Sequence, residues 1–223
     1  PFIGGGGVEK NLFIIENNLS KKFRKIRICT LSRNKLIKFN KKVKYLGPSK
    51  NFYEKLNIRL KYLICLIILF KFLLKHKNST VVSFQANIYC IILCKLLNVK
   101  IIVRSNSSPS GWYHNTIKKI IYKFLISKAD SVIVNSTEFK KQMERKFSIK
   151  VNCIFNPLDI KNIKKLSNLG KPDPFFYKKK CLKLINLGRF TDQKDQITLL
   201  KSINNCEGML TVIYVFFDYC LRK

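Results

Sequence analysis

The residues whose type and spacing point most directly to chemistry lie late in the chain, in Gly188-Arg189-Phe190-Thr191-Asp192-Gln193-Lys194. This run follows an apolar, strand-like stretch from Leu182 to Leu187 and precedes a helical pattern that includes Ile197, Leu199 and Leu200. Gly188 permits a tight exit from the strand. Arg189 offers a planar fork for phosphate oxygens, and Lys194 adds a point charge near a helix N-terminus. At the carboxyl end of a parallel strand the two would cradle a diphosphate. In so lysine-rich a chain a lone Lys says little, whereas the scarcer Arg at a strand-to-helix turn says more.

Two further segments have residue types suited to ligands. Gly4 to Gly7 hold four of the nine glycines and lead into a helical pattern beginning near Val8. A backbone without Cβ atoms lets a ligand come close, and the N–H groups of a helix start favour an anion. The run lacks the full G-x-G-x-x-G spacing, and a flexible turn accounts for it equally well. The segment from Ser105 to His114 carries the only Trp and one of the two His among small hydroxyl and amide groups suited to sugar recognition. Trp112 could stack on a ligand ring, although packing over a sheet edge is the commoner use of such a residue. His114 could give a proton or bind a phosphate, and an ordinary exposed loop histidine is the simpler reading. Ser136 is placed to cap the helix that follows it.

These segments need elements to position them, and the chain alternates short β-branched runs with longer helical patterns. Strands are predicted at Ile26–Leu31, Val43–Leu46, Val81–Phe84, Ile101–Arg104, Ser131–Asn135, Val151–Phe155 and Leu182–Leu187. Val8, Leu12, Ile15 and Leu19 share one helix face, and further helices are predicted over Asn57–Leu74, Ala86–Leu97, Thr116–Ser127 and Thr137–Lys146. The β-α-β-α order implies an α/β protein with a doubly wound, Rossmann-like parallel sheet covered by helices on both sides. Tyr62 to Phe70 is apolar all round, but Lys71 stops it well short of the ~20 residues that cross a bilayer. A helix buried against the sheet is the expected state, with a helix lying on acidic lipid headgroups as the alternative.

Lys171-Pro172-Asp173-Pro174 reads as a linker, and too little chain follows it for a second domain of ordinary size. Pro1-Phe2-Ile3 leaves almost no room for a strand ahead of the glycine run. The expected organisation is a domain over residues 1–175 lacking most of its first strand, with residues 176–223 the truncated beginning of another.

Composition narrows the function classes. The 44 Lys and Arg against 12 Asp and Glu give a formal charge of +32, so anionic partners are favoured and a calcium sensor is excluded for want of carboxylates. The charge is spread along the whole chain and dominated by Lys, as a composition bias would make it; nucleic-acid specialists concentrate charge and use Arg. None of the eight cysteines forms a C-x-x-C pair and only His76 and His114 are available, so no metal site is expected and a reducing cytoplasm fits best.

In this order the pieces resemble a family 4 nucleotide-sugar glycosyltransferase of the two-domain GT-B architecture. Gly5-Gly6-Gly7-Val8-Glu9 resembles the family's N-terminal glycine loop, and Ile102-Val103-Arg104-Ser105-Asn106-Ser107-Ser108-Pro109 resembles the loop after a mid-domain strand. Ala129-Asp130-Ser131-Val132-Ile133-Val134-Asn135-Ser136 and Asn156-Pro157-Leu158-Asp159 resemble the end of the N-terminal domain, and Gly188-Arg189 with Gln193-Lys194 the opening of the sugar-nucleotide domain. The resemblance implies a retaining, hexosyltransferase-like transfer from a nucleotide-diphosphate sugar to a glycan or lipid-linked acceptor, in the making of a surface polysaccharide or glycolipid. The nucleotide sugar is then a substrate, and no cofactor is implied. Arg189 and Lys194 would bind the donor diphosphate, Gly5, Gly6 and Gly7 would line the cleft, and Arg104, Asn106, Trp112 and His114 are the acceptor-side candidates. The location implied is cytoplasmic, peripheral on the inner face of the plasma membrane.

The family's pair of glutamates eight positions apart would fall beyond the end of this chain, and its last stretch does not resemble the family's continuation. No catalytic residue is assigned, and the polypeptide alone is expected to be inactive. Two other classes compete with this reading: a basic nucleic-acid-binding protein, supported only by the charge, and a non-catalytic remnant. No recognition motif for nucleic acid is visible, so no specific nucleic-acid partner is expected.

Overall fold

The computed structural model describes residues 3, 6–32, 39–48, 53, 55–107, 116–169, 182–188, 195–204 and 210–216. In chain order the elements are α1 (Gly7–Lys22), β1 (Arg27–Cys29), β2 (Lys44–Leu46), α2 (Ile58–Lys75), β3 (Thr80–Ser83), α3 (Asn87–Leu96), β4 (Lys100–Ser105), α4 (Thr116–Ser127), β5 (Ser131–Val134), α5 (Thr137–Phe147) and β6 (Asn152–Cys153). They are followed by α6 (Ile160–Ser167), β7 (Leu182–Gly188), α7 (Gln196–Asn204) and β8 (Leu210–Phe216). The chain divides into two units, Pro1–Leu158 and Asp159–Lys223. The predicted linker, residues 171–174, lies outside the described residues.

Local chemistry sets several of the element ends. Asn57 caps α2 by accepting the Leu60 N–H at 3.0 Å, and Ser136 caps α5 by accepting that of Phe139 at 3.1 Å, as its sequence position predicts. Ser148, in the left-handed region at φ 55°, closes α5 and turns the chain toward β6. Asp130 joins three parts of the first unit. Its carboxylate accepts the Ile101 N–H at 2.7 Å and pairs with Lys95 at 2.8 Å, fixing the start of β4 against the ends of α3 and α4.

In the first unit β3, β4, β5 and β6 form a parallel sheet in consecutive order, with Val81 opposite Ile101 and Val103 opposite Val132. Consecutive right-handed crossovers in one direction place α3, α4 and α5 on one face of that sheet, and α4 touches both of its neighbours. Ile101, Val103, Val132 and Val134 from the strands meet Ile91, Cys94, Ile126, Met143 and Phe147 from the helices in a buried core. β1 and β2 pair in parallel as a separate two-stranded sheet. In the second unit β7 and β8 pair in parallel over all seven residues, from Leu182 opposite Leu210 to Gly188 opposite Phe216. The architecture is α/β with parallel sheets, compatible with a Rossmann-like fold.

Several expectations need correction. The strands of the first unit form two sheets rather than one. The strand predicted over Val151–Phe155 is shorter: its register with β5 covers Asn152 and Cys153, the Ile154 N–H still donates to Val134 O at 2.9 Å, and the exposed side chains of Ile154 and Phe155 mark its end. α2 is not buried all round: Cys65 and Leu73 are covered, while Leu63, Ile67 and Leu74 face solvent. On α1 the apolar residues are only half-covered and the buried side chains are Glu9, Asn11, Glu16 and Ser20. That side of α1 meets the segment leading to β2, where Glu16 accepts the Asn40 N–H at 3.3 Å and Phe13 lies 4.6 Å from Phe39, ring to ring.

Candidate functional site

The carboxyl ends of adjacent parallel strands carry no further ladder, so the side chains just beyond them are free to face a ligand. In the first unit a cavity of about 450 Å3 opens there, lined by the turn Phe84–Ala86 after β3 and the first residues of α3 to Tyr89, by Arg104 to Ser107 at the end of β4, by Tyr122 and Ile126 of α4, and by Val8. The start of α1 and the predicted loop after β4 therefore share one cavity.

The turn after β3 is tightly specified. Ala86 sits in the left-handed region at φ 56° and is the N-cap of α3, with no side chain capping the helix. Ser83 Oγ lies 2.8 Å from Gln85 O and 2.7 Å from Asn87 Oδ1, and the Asn87 amide donates to Arg104 O at 3.1 Å. Asn87 thus ties the first turn of α3 to the end of β4.

Arg104 is 3% exposed, although it is a cation, and no carboxylate pairs with it among the described residues. Its guanidinium crosses toward the end of β6, where Nη2 donates to Asn156 Oδ1 at 2.9 Å and to Ile154 O at 3.3 Å. Burial lowers its pKa. Nε has no partner. Three acceptor atoms are in the same condition nearby: Gln85 Oε1 after β3, Asn106 Oδ1 after β4 and Asn135 Oδ1 after β5. Register places Ser105 opposite Val134, so Asn106 and Asn135 leave their strands side by side. Apart from Glu16, every described side chain with a buried, unpartnered polar atom lies at this end of the sheet. A small polar ligand or an ordered water that both donates and accepts would complete these bonds.

A scan against protein-family models gives no match to this chain, and a search of curated proteins gives none either.

Of the residues singled out in the sequence, Arg104, Asn106, Gly6 and Gly7 are described. Gly6 is the N-cap of α1 in an extended conformation and Gly7 its first residue. A Cβ at Gly7 would meet nothing within 4 Å, and one at Gly6 only the flexible end of Glu9. The fold by itself therefore does not demand glycine at either position. Gly5, Trp112, His114, Arg189 and Lys194 lie outside the described residues; the last two fall between β7 and α7. Gln85 and Asn135 were not singled out. A polar residue one or two positions past a β-branched run is the signal that would have found them.

Two of the described thiols are held away from the thiolate form. Cys29 donates to Cys65 O at 3.5 Å, and this neighbour together with burial pushes its pKa up. Burial pushes Cys94 up to about 12. Among the described residues no three His, Cys, Asp or Glu side chains gather in a group that could hold a metal ion.

Proposed function

We propose that this chain is part of a GT-B glycosyltransferase of the family 4 type, one that moves a sugar from a nucleotide-diphosphate donor to a glycan or lipid-linked acceptor. The observation that carries the reading is the row of unpartnered polar atoms on Gln85, Arg104, Asn106 and Asn135 at the carboxyl ends of three parallel strands. Sugars present hydroxyl groups that donate and accept at once, and a site of this composition suits them better than an apolar or a purely anionic ligand. Val8, in the first turn of α1 next to Gly6 and Gly7, lines the same cavity. Glycine at positions the fold leaves sterically open agrees with close approach of a ligand to that backbone.

In this reading the first unit holds the acceptor, and Arg189 and Lys194, which fall between β7 and α7 in sequence, hold the donor diphosphate. Cleavage of the bond to the anomeric carbon leaves negative charge on the diphosphate, which a guanidinium and an ammonium stabilise. Calorimetric titration with uridine and guanosine diphosphate sugars tests the donor side. Binding is expected for one of them and should weaken by roughly 10- to 100-fold in Arg189→Ala, the loss of a charge-assisted bidentate contact. Unchanged affinity in that variant would remove Arg189 from the diphosphate site.

A further inference from the structure

Helix α4 turns a strongly apolar face to solvent. Ile117, Ile120, Ile121 and Phe124 are 68, 62, 50 and 60% exposed, whereas Ile126 on its other side is buried in the core. At 100° per residue the four occupy an arc of about 100°. Lys118 and Lys123 fall about 60° beyond the two edges of that arc, one on each side, and both are exposed. Lys128, one turn beyond Phe124, holds its ammonium over the Phe124 ring at 5.0 Å. Thr116–Ser127 contains no carboxylate, and neither does its neighbour α3. The neighbouring helix α3 packs beside α4 and also leaves a large apolar side chain, Leu96, exposed.

We infer that α4 is an interfacial helix, which docks the protein on an acidic lipid bilayer with Ile117, Ile120, Ile121 and Phe124 in the headgroup–acyl boundary and Lys118 and Lys123 on the lipid phosphates. Charge selects this occupant. A second copy would bring one lysine-flanked face against another in a chain of formal charge +32, and nucleic acid would leave the four large apolar side chains in contact with phosphate and water. An acidic membrane satisfies both parts of the face, since apolar burial and headgroup attraction add. The helix is about 18 Å long and lies along the surface of the sheet, so it presents its side rather than its end. No described helix is long and apolar enough to cross a membrane.

The test is flotation of the purified chain with phosphatidylglycerol–phosphatidylcholine vesicles and with pure phosphatidylcholine vesicles. It contains no activity readout, so its outcome is independent of the glycosyltransferase reading. Binding is expected to the acidic vesicles only. The double variant Ile120→Ser/Phe124→Ser should reduce partitioning by roughly 100-fold and Lys118→Glu/Lys123→Glu by roughly 30-fold or more. Because the substituted side chains are exposed, circular dichroism should show both variants folded like the parent. A matched control, Leu63→Ser/Phe70→Ser on α2, should bind as the parent does. The inference is overturned if the α4 variants float like the parent, if neutral vesicles bind as well as acidic ones, or if light scattering finds a dimer that Ile120→Ser/Phe124→Ser dissociates.

Discussion

A carbonyl oxygen buried without a donor costs about 1–3 kcal/mol, and Asn106 carries one at the end of β4. Removing it should therefore separate binding from folding. Asn106→Ala is expected to melt within about 2 °C of the parent, because no bond to that oxygen is lost, while binding of an oligosaccharide acceptor weakens roughly tenfold. Thermal melts and an NMR titration with short hexose oligosaccharides check both halves; a fall of several degrees would make Asn106 a folding residue instead. Arg104 is the contrasting case, since its guanidinium serves Ile154 and Asn156, fifty positions away, as well as the cavity. The sequence pointed to Arg104 and Asn106 through the resemblance of Ile102 to Pro109 to a glycosyltransferase loop that follows a mid-domain strand. The link from Arg104 to Asn156 was hidden, because only the register of β4, β5 and β6 brings those positions together.

At the scale of elements, Asp130 is the joint whose chemistry can be titrated. Lys95 and the Ile101 N–H hold its carboxyl below the ordinary carboxylate range. A carboxylate depressed in the folded state stabilises above its unfolded pKa, near 4, and that contribution fades as the pH falls through the folded value. Asp130→Ala is expected to cost about 1 kcal/mol at pH 7, a modest figure because solvent reaches the ion pair. The difference from the parent should shrink progressively as the pH is lowered from 7 to below 4, as urea midpoints across that range will show. Helices and strands with strong periodicity were legible to within a few residues. α6 and β8 were not singled out, although Asp159 caps α6 by accepting the Asn162 N–H and Leu210 to Phe216 is largely apolar and β-branched. The first falls just past the Asn156–Asp159 segment and received no reading, and the second lies in the last stretch, which does not resemble the family's continuation. What α2 buries was misjudged for a different reason: a helix apolar on all sides gives no clue to which side the protein covers.

For the molecule as a whole, the consecutive order β3-β4-β5-β6 bears on how the fold is reached in time. Thr80 pairs with Lys100, Ile102 with Ser131 and Ile133 with Asn152, so every new strand closes a loop of only about 20–30 residues onto the one made just before it. No strand of this sheet has to wait for a distant part of the chain. Assembly can therefore proceed from β3 toward β6 as the polypeptide is synthesised, with α3 and α4 packing in turn. Pulse-labelled hydrogen exchange during refolding should find the Val103 amide protected before that of Ile154, and the reverse order would rule out growth in that direction. A ribosome releasing this chain would let the first unit's sheet mature in the direction of translation, each strand a template for its successor.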